Sequence, residues 1–411
     1  MVHFKQLDNG IRLIVKQMTG LLSVTMGIIV GTGASYETDK QDGISHFIEH
    51  MMFKGTKKRT AFEISDSMDA IGAQVNAFTG KDITCYYAKS TSNHAAEAFE
   101  ILSDLFLNSV FPEEEMVREK GVIVEEISMN EDTPDDLCLD LLSRAFFGEE
   151  NYGRNILGPK ENVRGFKKSD VDAYMKDRYT TDNIVISMAG NISVELAEKL
   201  AVEYFGSLPR TEKKGGELKV SLKSGNLFKK KDIEQIHIAI AYPSMKRYER
   251  LSDATSIMNA VFGGSMSSRL FKTVREQMGL AYTVYSYMSM FEKTGSLVIY
   301  AGVNADDYMR SVEAIYGCIE DMKKKTMTKE EFLRGKEQLL SSSIFAQEST
   351  SSQMLLYGKE LIYTGNIYDF EKRIADITAV TLDDVMEATE YNFDSTYKAT
   401  AIVGNVDKPI S

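Results

Sequence analysis

His46-Phe47-Ile48-Glu49-His50 puts two imidazoles and a carboxylate within five residues of a 411-residue chain that has only five histidines. Around it, Ile44, Phe47, Ile48, Met51 and Met52 recur at the spacing of one buried helical face, and Gly55 is placed to end the helix. Residues four apart on a helix lie one above the other. His46 and His50 therefore share a face with Glu49 beside them. One divalent metal ion could reach both rings while the carboxylate handles a proton.

Outward from this helix the chain reads as strands first and helices after. Two β-branched strands, 10–15 and 24–30, flank a turn containing Gly20, and Gly31-Thr32-Gly33-Ala34-Ser35 breaks the pattern before the helix. Thr60 and Glu63 form a capping-box pattern that opens a second helix through Ala70. Residues 74–78 and 83–88 read as paired strands around Thr79-Gly80-Lys81-Asp82. Helices over 93–107 and from Pro112 to about Glu131 follow, then a strand over 183–189. Residues 209–226, with lysines, Gly215-Gly216 and no apolar period, read as a linker. Beyond it the pattern starts over: a strand at 236–241, a helix at 252–262, a strand at 296–303, two helices and a last strand at 399–403. The expected fold is α+β, two similar domains from an internal duplication, each a mainly antiparallel sheet covered by helices on one face. The expected domains are 1–208, carrying the metal site, and 227–411, whose matching helix has no histidine pair.

Composition narrows the function. Hydrophobic residues at 43% and charged residues at 26% describe a globular chain, and its length favours two cores. A net charge of −12 disfavours a nucleic-acid groove and an anionic membrane surface. No apolar run approaches the roughly 20 residues needed to span a bilayer. The opening Met1-Val2-His3-Phe4-Lys5-Gln6-Leu7 has the layout of neither a signal nor a transit peptide, so cytoplasmic residence is expected. Cys85, Cys138 and Cys318 are too scattered for a disulfide framework or a thiolate zinc site. The 21 methionines read as core filler, and Glu113-Glu114-Glu115 as charge favoured at a helix N-terminus.

A catalytic zinc takes three protein ligands and keeps one position open. His3, His94 and His237 sit in contexts that do not recommend them as the third. Glu119 and Glu126, two helical turns apart after Pro112, can face one point, whereas Glu125 is turned about 100° from Glu126. The order of the histidine motif, with the acid directly before the second histidine, inverts the common zinc-protease signature.

On these residues the chain resembles the pitrilysin/insulinase family of inverted zinc metallopeptidases, in its processing-peptidase-like branch. The family pattern H-x-x-E-H is followed, after a long spacer, by a liganding glutamate, and Glu126, seventy-six residues after His50, stands at that distance. The resemblance thus implies one Zn2+ per chain held by His46, His50 and Glu126, with Glu49 as general base and Glu119 near the metal. Gly72-Ala73-Gln74-Val75-Asn76-Ala77-Phe78-Thr79 resembles the segment leading into the family's substrate-receiving sheet edge, which makes Asn76, Ala77 and Phe78 substrate-binding candidates. Gly263-Gly264-Ser265-Met266-Ser267-Ser268-Arg269-Leu270-Phe271 and Arg275-Glu276-Gln277-Met278-Gly279-Leu280-Ala281-Tyr282 resemble its second signature. There Arg275 and Tyr282 are expected to reach the substrate backbone. Ser265 stands where a third glycine is common.

The expected activity is zinc-dependent endoproteolysis of extended or unfolded peptides, including basic, presequence-like ones, inside a chamber formed by paired chains. One chain carries both motifs, so a homodimer would suffice. The competing expectation is a non-catalytic scaffold or partner subunit, which has no reason to keep His46, Glu49, His50 and Glu126 together. A structural zinc site fits less well, because three ligands leave its coordination open.

Overall fold

A computed structural model describes residues 1–406 except 216, 217, 219 and 326. The chain forms two compact units. The first comprises Met1–Ile127, Asn155–Glu217 and Phe345–Tyr368, and the second Ser128–Arg154, Leu218–Ile344 and Asp369–Ser411. Each unit takes in a segment from the opposite half of the sequence, which the contiguous division into 1–208 and 227–411 leaves out. Of the expected linker 209–226, residues 216, 217 and 219 lie outside the described residues, and Asn226 already opens a strand.

In the first unit, β1 (Val2–Gln6), β2 (Arg12–Gln17), β3 (Ser23–Val30), β4 (Gln74–Thr79), β5 (Thr84–Thr91) and β6 (Ile184–Gly190) form one sheet in the order β1-β2-β6-β3-β5-β4. Only β2 and β6 pair parallel. The second unit holds β7 (Asn226–Lys230), β8 (Gln235–Pro243), β9 (Ala281–Met290), β10 (Gly295–Asn304) and β11 (Ala399–Gly404) in the order β7-β11-β8-β10-β9, with β7 and β11 parallel. Setting β1 aside, the two orders superpose strand for strand, including the place of the parallel pair. That match is the internal duplication in structural form, and it makes edge strand β9 the counterpart of edge strand β4.

Alternation along each strand sends side chains to both faces of a sheet, and both faces are apolar. Leu13, Val15, Val24, Met26 and Ile28 meet the helical layer that contains Phe47, Phe99 and Leu102. Ile14, Ile29, Cys85 and Val185 point the other way and are covered by Met354, Tyr357 and Leu361 from the helix Thr350–Thr364. In the second unit Ala239, Ala241, Val298 and Val403 are likewise covered by Cys138, Leu142 and Phe146 from the helix Pro134–Phe147. The expectation of helices on one face is therefore corrected: each sheet is closed on both. Sheet strands buried on two faces lose the polar alternation that would have exposed this arrangement in the sequence. Five helices, not two, separate β10 from β11 among the described residues. No described helix is long and apolar enough to cross a membrane.

The helices that position the site are α1 (Ile44–Met52), α2 (Ala61–Ala70), α3 (Ala95–Asn108) and α4 (Glu113–Asp132). The capping box of α2 forms as expected: Thr60 Oγ1 accepts from Glu63 N–H, and the Glu63 carboxylate accepts from Thr60 N–H.

Candidate metal centre

At nine residues, α1 is too short to persist on its own propensity. Tertiary contacts hold it. Ile44, Phe47, Ile48, Met51 and Met52 are all buried in the helical core, a gain of about 1.5–3 kcal/mol each before entropy. The N-terminus has no local side-chain cap. Instead, Glu37 reaches in: its Oε2 accepts from Gly43 N–H at 2.7 Å and its Oε1 from Ser45 N–H at 2.8 Å. Gly43 sits at φ +93°, and a Cβ there would stand 2.7 Å from the Leu157 carbonyl oxygen, so glycine is required. Burial pushes the Glu37 carboxyl up to about 7 despite those donors. Ser45 Oγ shares a hydrogen bond of 2.8 Å with the buried Tyr174 hydroxyl, which fixes the helix from its flank.

On the resulting face His46 and His50 lie with ring centroids 4.4 Å apart. The Nε2 atom of each is 3.7 Å from the same oxygen of Glu126, which α4 delivers. That separation is too long for a hydrogen bond yet close to the roughly 3.3 Å between donors of a tetrahedral zinc with bonds of about 2.0–2.1 Å. Glu125, by contrast, is exposed. Among the described residues, His46, His50 and Glu126 form the one group with donor atoms within 4.8 Å of one another.

The donor chemistry fits a divalent metal. His46 is buried, at 7% exposure, and burial, aided by neighbouring His50, pushes its imidazole down to about 3. It therefore stays neutral, with a lone pair to give. Its Nδ1 has no hydrogen-bond partner among the described residues, and the protein offers its Nε2 only an oxygen 3.7 Å away. A cation at Nε2 would take up that lone pair and leave the ring proton on Nδ1. His50 is oriented differently: its Nδ1–H donates to Glu119 Oε1 at 2.8 Å, which turns Nε2 toward Glu126. Glu119, 4% exposed, also holds Lys54 Nζ at 2.7 Å. Burial raises the Glu119 carboxyl, but the hydrogen bonds from His50 and Lys54 outweigh it and leave it below the usual range. A carboxylate holding the far nitrogen of a metal-facing histidine fixes its tautomer and increases its basicity.

Glu49 stands half-buried next to the pair. Its Oε2 accepts from Thr79 Oγ1 at 2.5 Å, and burial lifts its carboxyl above the usual range against that bond. Asn76, Ala77 and Phe78 lie on β4, at the edge of the sheet. Asn76 is exposed and its Oδ1 accepts from Ala77 N–H at 2.8 Å, while Phe78 packs under the ammonium of Lys359.

In the second unit, the Arg275 guanidinium lies over two rings, 4.7 Å from Phe271 and 5.3 Å from Tyr282, and Tyr282 is 76% exposed at the start of edge strand β9. Residues Phe271–Gln277 wind as a π-helix, a geometry frequent at functional positions. Arg269 of the same signature is committed elsewhere: it grips both oxygens of Glu331 at 2.9 and 2.8 Å, which holds that carboxyl down at about 2.

Sequence reasoning missed Lys54, Thr79 and Glu37. Lys54 carried a signal, being four residues beyond His50 on the line of His46 and His50. Thr79 closes a quoted motif without having drawn a role. Glu37 gave no signal, because its bond to α1 depends on the loop path.

Residues 13–160 match the family described as insulinase (peptidase family M16), and residues 165–339 match that described as the peptidase M16 inactive domain. The chain is 40% identical to the protein named uncharacterized zinc protease YmxG of Bacillus subtilis (strain 168), with 98% of each covered. It is 34% identical to one named uncharacterized zinc protease of Rickettsia felis, again over 98% of each. Among solved structures, a peptidase M16 inactive domain from Pseudomonas fluorescens superposes with a TM-score of 0.92 over the full length of both chains, at 19% identity. A protease from Helicobacter pylori gives 0.91 over 98% of this chain and 99% of its own, also at 19% identity, so both speak to the fold alone. With family matches across both halves and a full-length relative at this identity, the chain belongs to the insulinase family, peptidase family M16.

Proposed function

We propose that the chain is a zinc-dependent endopeptidase that cleaves extended peptides. The observation that carries this reading is the convergence of His46 Nε2 and His50 Nε2 on one Glu126 oxygen, with Glu49 adjacent. The names of its relatives as zinc proteases support the same metal and reaction class. Bound between those three side chains, zinc would supply Lewis acidity and a water molecule acidified toward neutrality.

The chain's own residues supply the rest. Glu49, with a raised carboxyl pKa, is suited to accept a proton from the attacking water and return it to the leaving amine. Glu119 holds the His50 ring in one orientation, and Lys54 balances the charge of Glu119. The outer edge of β4 suits a peptide added as a further strand, since main-chain pairing tolerates many sequences. Arg275 and Tyr282 are assigned to substrate contact on the strength of the second signature and the exposure of Tyr282. Pairing of two copies around a closed chamber belongs to the same proposal; a chain sedimenting as a monomer at assay concentration contradicts that part.

The test combines metal analysis with peptide digestion. Glu49→Gln should retain one zinc per chain and lose turnover, whereas His50→Ala should lose the metal. Substantial hydrolysis by Glu49→Gln would remove Glu49 as the base, and hydrolysis untouched by chelation would remove the metal from the reaction.

A further inference from the structure

We propose that Thr79 is a positioning residue that ties edge strand β4 to the Glu49 carboxylate, so that the strand offered to a peptide also orients the proton-transferring group. The inference rests on the reading of Glu49 as base. Thr79 is the last residue of β4 and stands opposite Thr84 on β5. Ala77 and Val75, two and four residues before it, pack against the core that contains α1, and strand alternation puts Thr79 on that same face. Its hydroxyl donates to Glu49 Oε2 at 2.5 Å.

What makes this hydroxyl a reference point is the anchoring just beyond it. Ala34 N–H donates to the Gly80 carbonyl at 3.1 Å, and Ser35 donates to the Lys81 carbonyl from N at 3.0 Å and from Oγ at 2.7 Å. The Gly80 N–H closes the hairpin on the Ile83 carbonyl at 2.8 Å. Glu49 has no such frame, because its carboxylate ends a side chain with three rotatable bonds. The bond to Thr79 sets which way it faces. On its other edge β4 has no strand partner among the described residues, so a peptide pairing there would bear directly on the residue that aims the carboxylate.

The test uses the full-length protein and compares Thr79→Val, close in shape but without the donor, with Thr79→Ser, which keeps it. Thr79→Val should bind zinc as the parent does and keep KM within about twofold while kcat falls about 10–100-fold, the scale of a misaligned reacting group. Thr79→Ser should recover most of that loss. In the metal-free protein, Thr79→Val should lower the urea midpoint of the parent but not that of Glu49→Leu, since the lost bond no longer has an acceptor there. The proposal is overturned if kcat of Thr79→Val stays within about twofold of the parent, if Ser and Val lose activity equally, or if the midpoint shifts match in both backgrounds. Should Thr79→Val not fold, Thr79→Ala carries the same readouts. A parent without zinc-dependent hydrolysis would sink the endopeptidase reading, while the metal-free cycle would still decide whether Thr79 holds Glu49.

Discussion

Replacing Glu119 by glutamine should weaken zinc binding about 10–100-fold. The carboxylate now accepts from His50 Nδ1 at 2.8 Å with one oxygen and from Lys54 Nζ at 2.7 Å with the other. An amide has one oxygen and one donor NH2. Whichever way it turns, either the imidazole N–H or the ammonium meets another donor at hydrogen-bond distance. If the ring loses its acceptor, a charge-assisted bond of about 1.5–3 kcal/mol is gone. If it keeps a neutral one, roughly half of that remains. At about 1.4 kcal/mol per factor of ten, outright loss of the bond gives the stated range, whereas a retained neutral acceptor would limit the loss to about 3–10-fold.

Lys54→Met separates charge from orientation. It leaves Glu119 ionised against His50, so zinc affinity should stay within about threefold of the parent, while the metal-free protein loses about 1–2 kcal/mol because a nearly buried carboxylate loses its counter-charge. The lower range applies because Lys54 is 28% exposed and its pair is partly screened by water. Competition against a chromophoric zinc chelator at fixed neutral pH gives the affinities, and urea unfolding of the metal-free protein gives the stabilities. Equal zinc affinity in Glu119→Gln and the parent, or a larger loss in Lys54→Met, would refute the argument that Glu119 acts by holding the ring.

Glu37 supplies a pH dependence away from the ligands. Its folded carboxyl is lifted by burial from 4.5 to about 7, so the native state holds the extra proton between those values. Stability from this group is fully present below about 4.5 and falls as pH rises through about 7, by about 3 kcal/mol in all; urea midpoints across this window should decline in the parent and flatten in Glu37→Gln. Gly33→Ala should cost about 1–3 kcal/mol by crowding, because its Cβ would sit 2.2 Å from the Gly80 carbonyl oxygen and 2.7 Å from that of Lys81, backbone atoms that cannot rotate away. An unchanged thermal midpoint would contradict this. With a net charge of −12 and carboxylates at Glu113, Glu114, Glu115 and Asp132 on α4, the proposed peptidase is expected to cut matched basic peptides faster than acidic ones at low salt, an advantage that should shrink as salt rises. Equal rates at low salt would remove that preference.

The grouping of His46, His50 and Glu126 was legible because two of its three members are set by local helix geometry, and the third by the spacing that the family resemblance implies. Glu126 rather than Glu125 follows from a 100° turn along one helix, and the structure turns those residues as the periodicity requires. Nothing comparable marks Thr79 or Glu37, whose partners lie thirty and six to eight residues away across turns that only the folded chain defines. Strands β1 and β9 went unread for a related reason. β1 is a short edge strand with no buried residue, its alternation resting on Val2 and Phe4 alone, and in β9 tyrosines, serines and threonine fill both faces. The helix Thr350–Thr364 is readable as a helix, but which surface it would cover is a property of the sheet it meets.

That helix and its counterpart Pro134–Phe147 have a consequence for biosynthesis. As the nascent chain leaves the ribosome, the first sheet is complete in its strands once Gly190 emerges, yet Ile14, Ile29, Cys85 and Val185 wait for a layer encoded more than 150 residues later. A first sheet formed before that layer emerges would carry an uncovered apolar plane, the kind of surface chaperones bind. Dividing the gene after residue 217 would strand each product without one of its layers, so the two halves should be insoluble when made apart and recoverable only when made together.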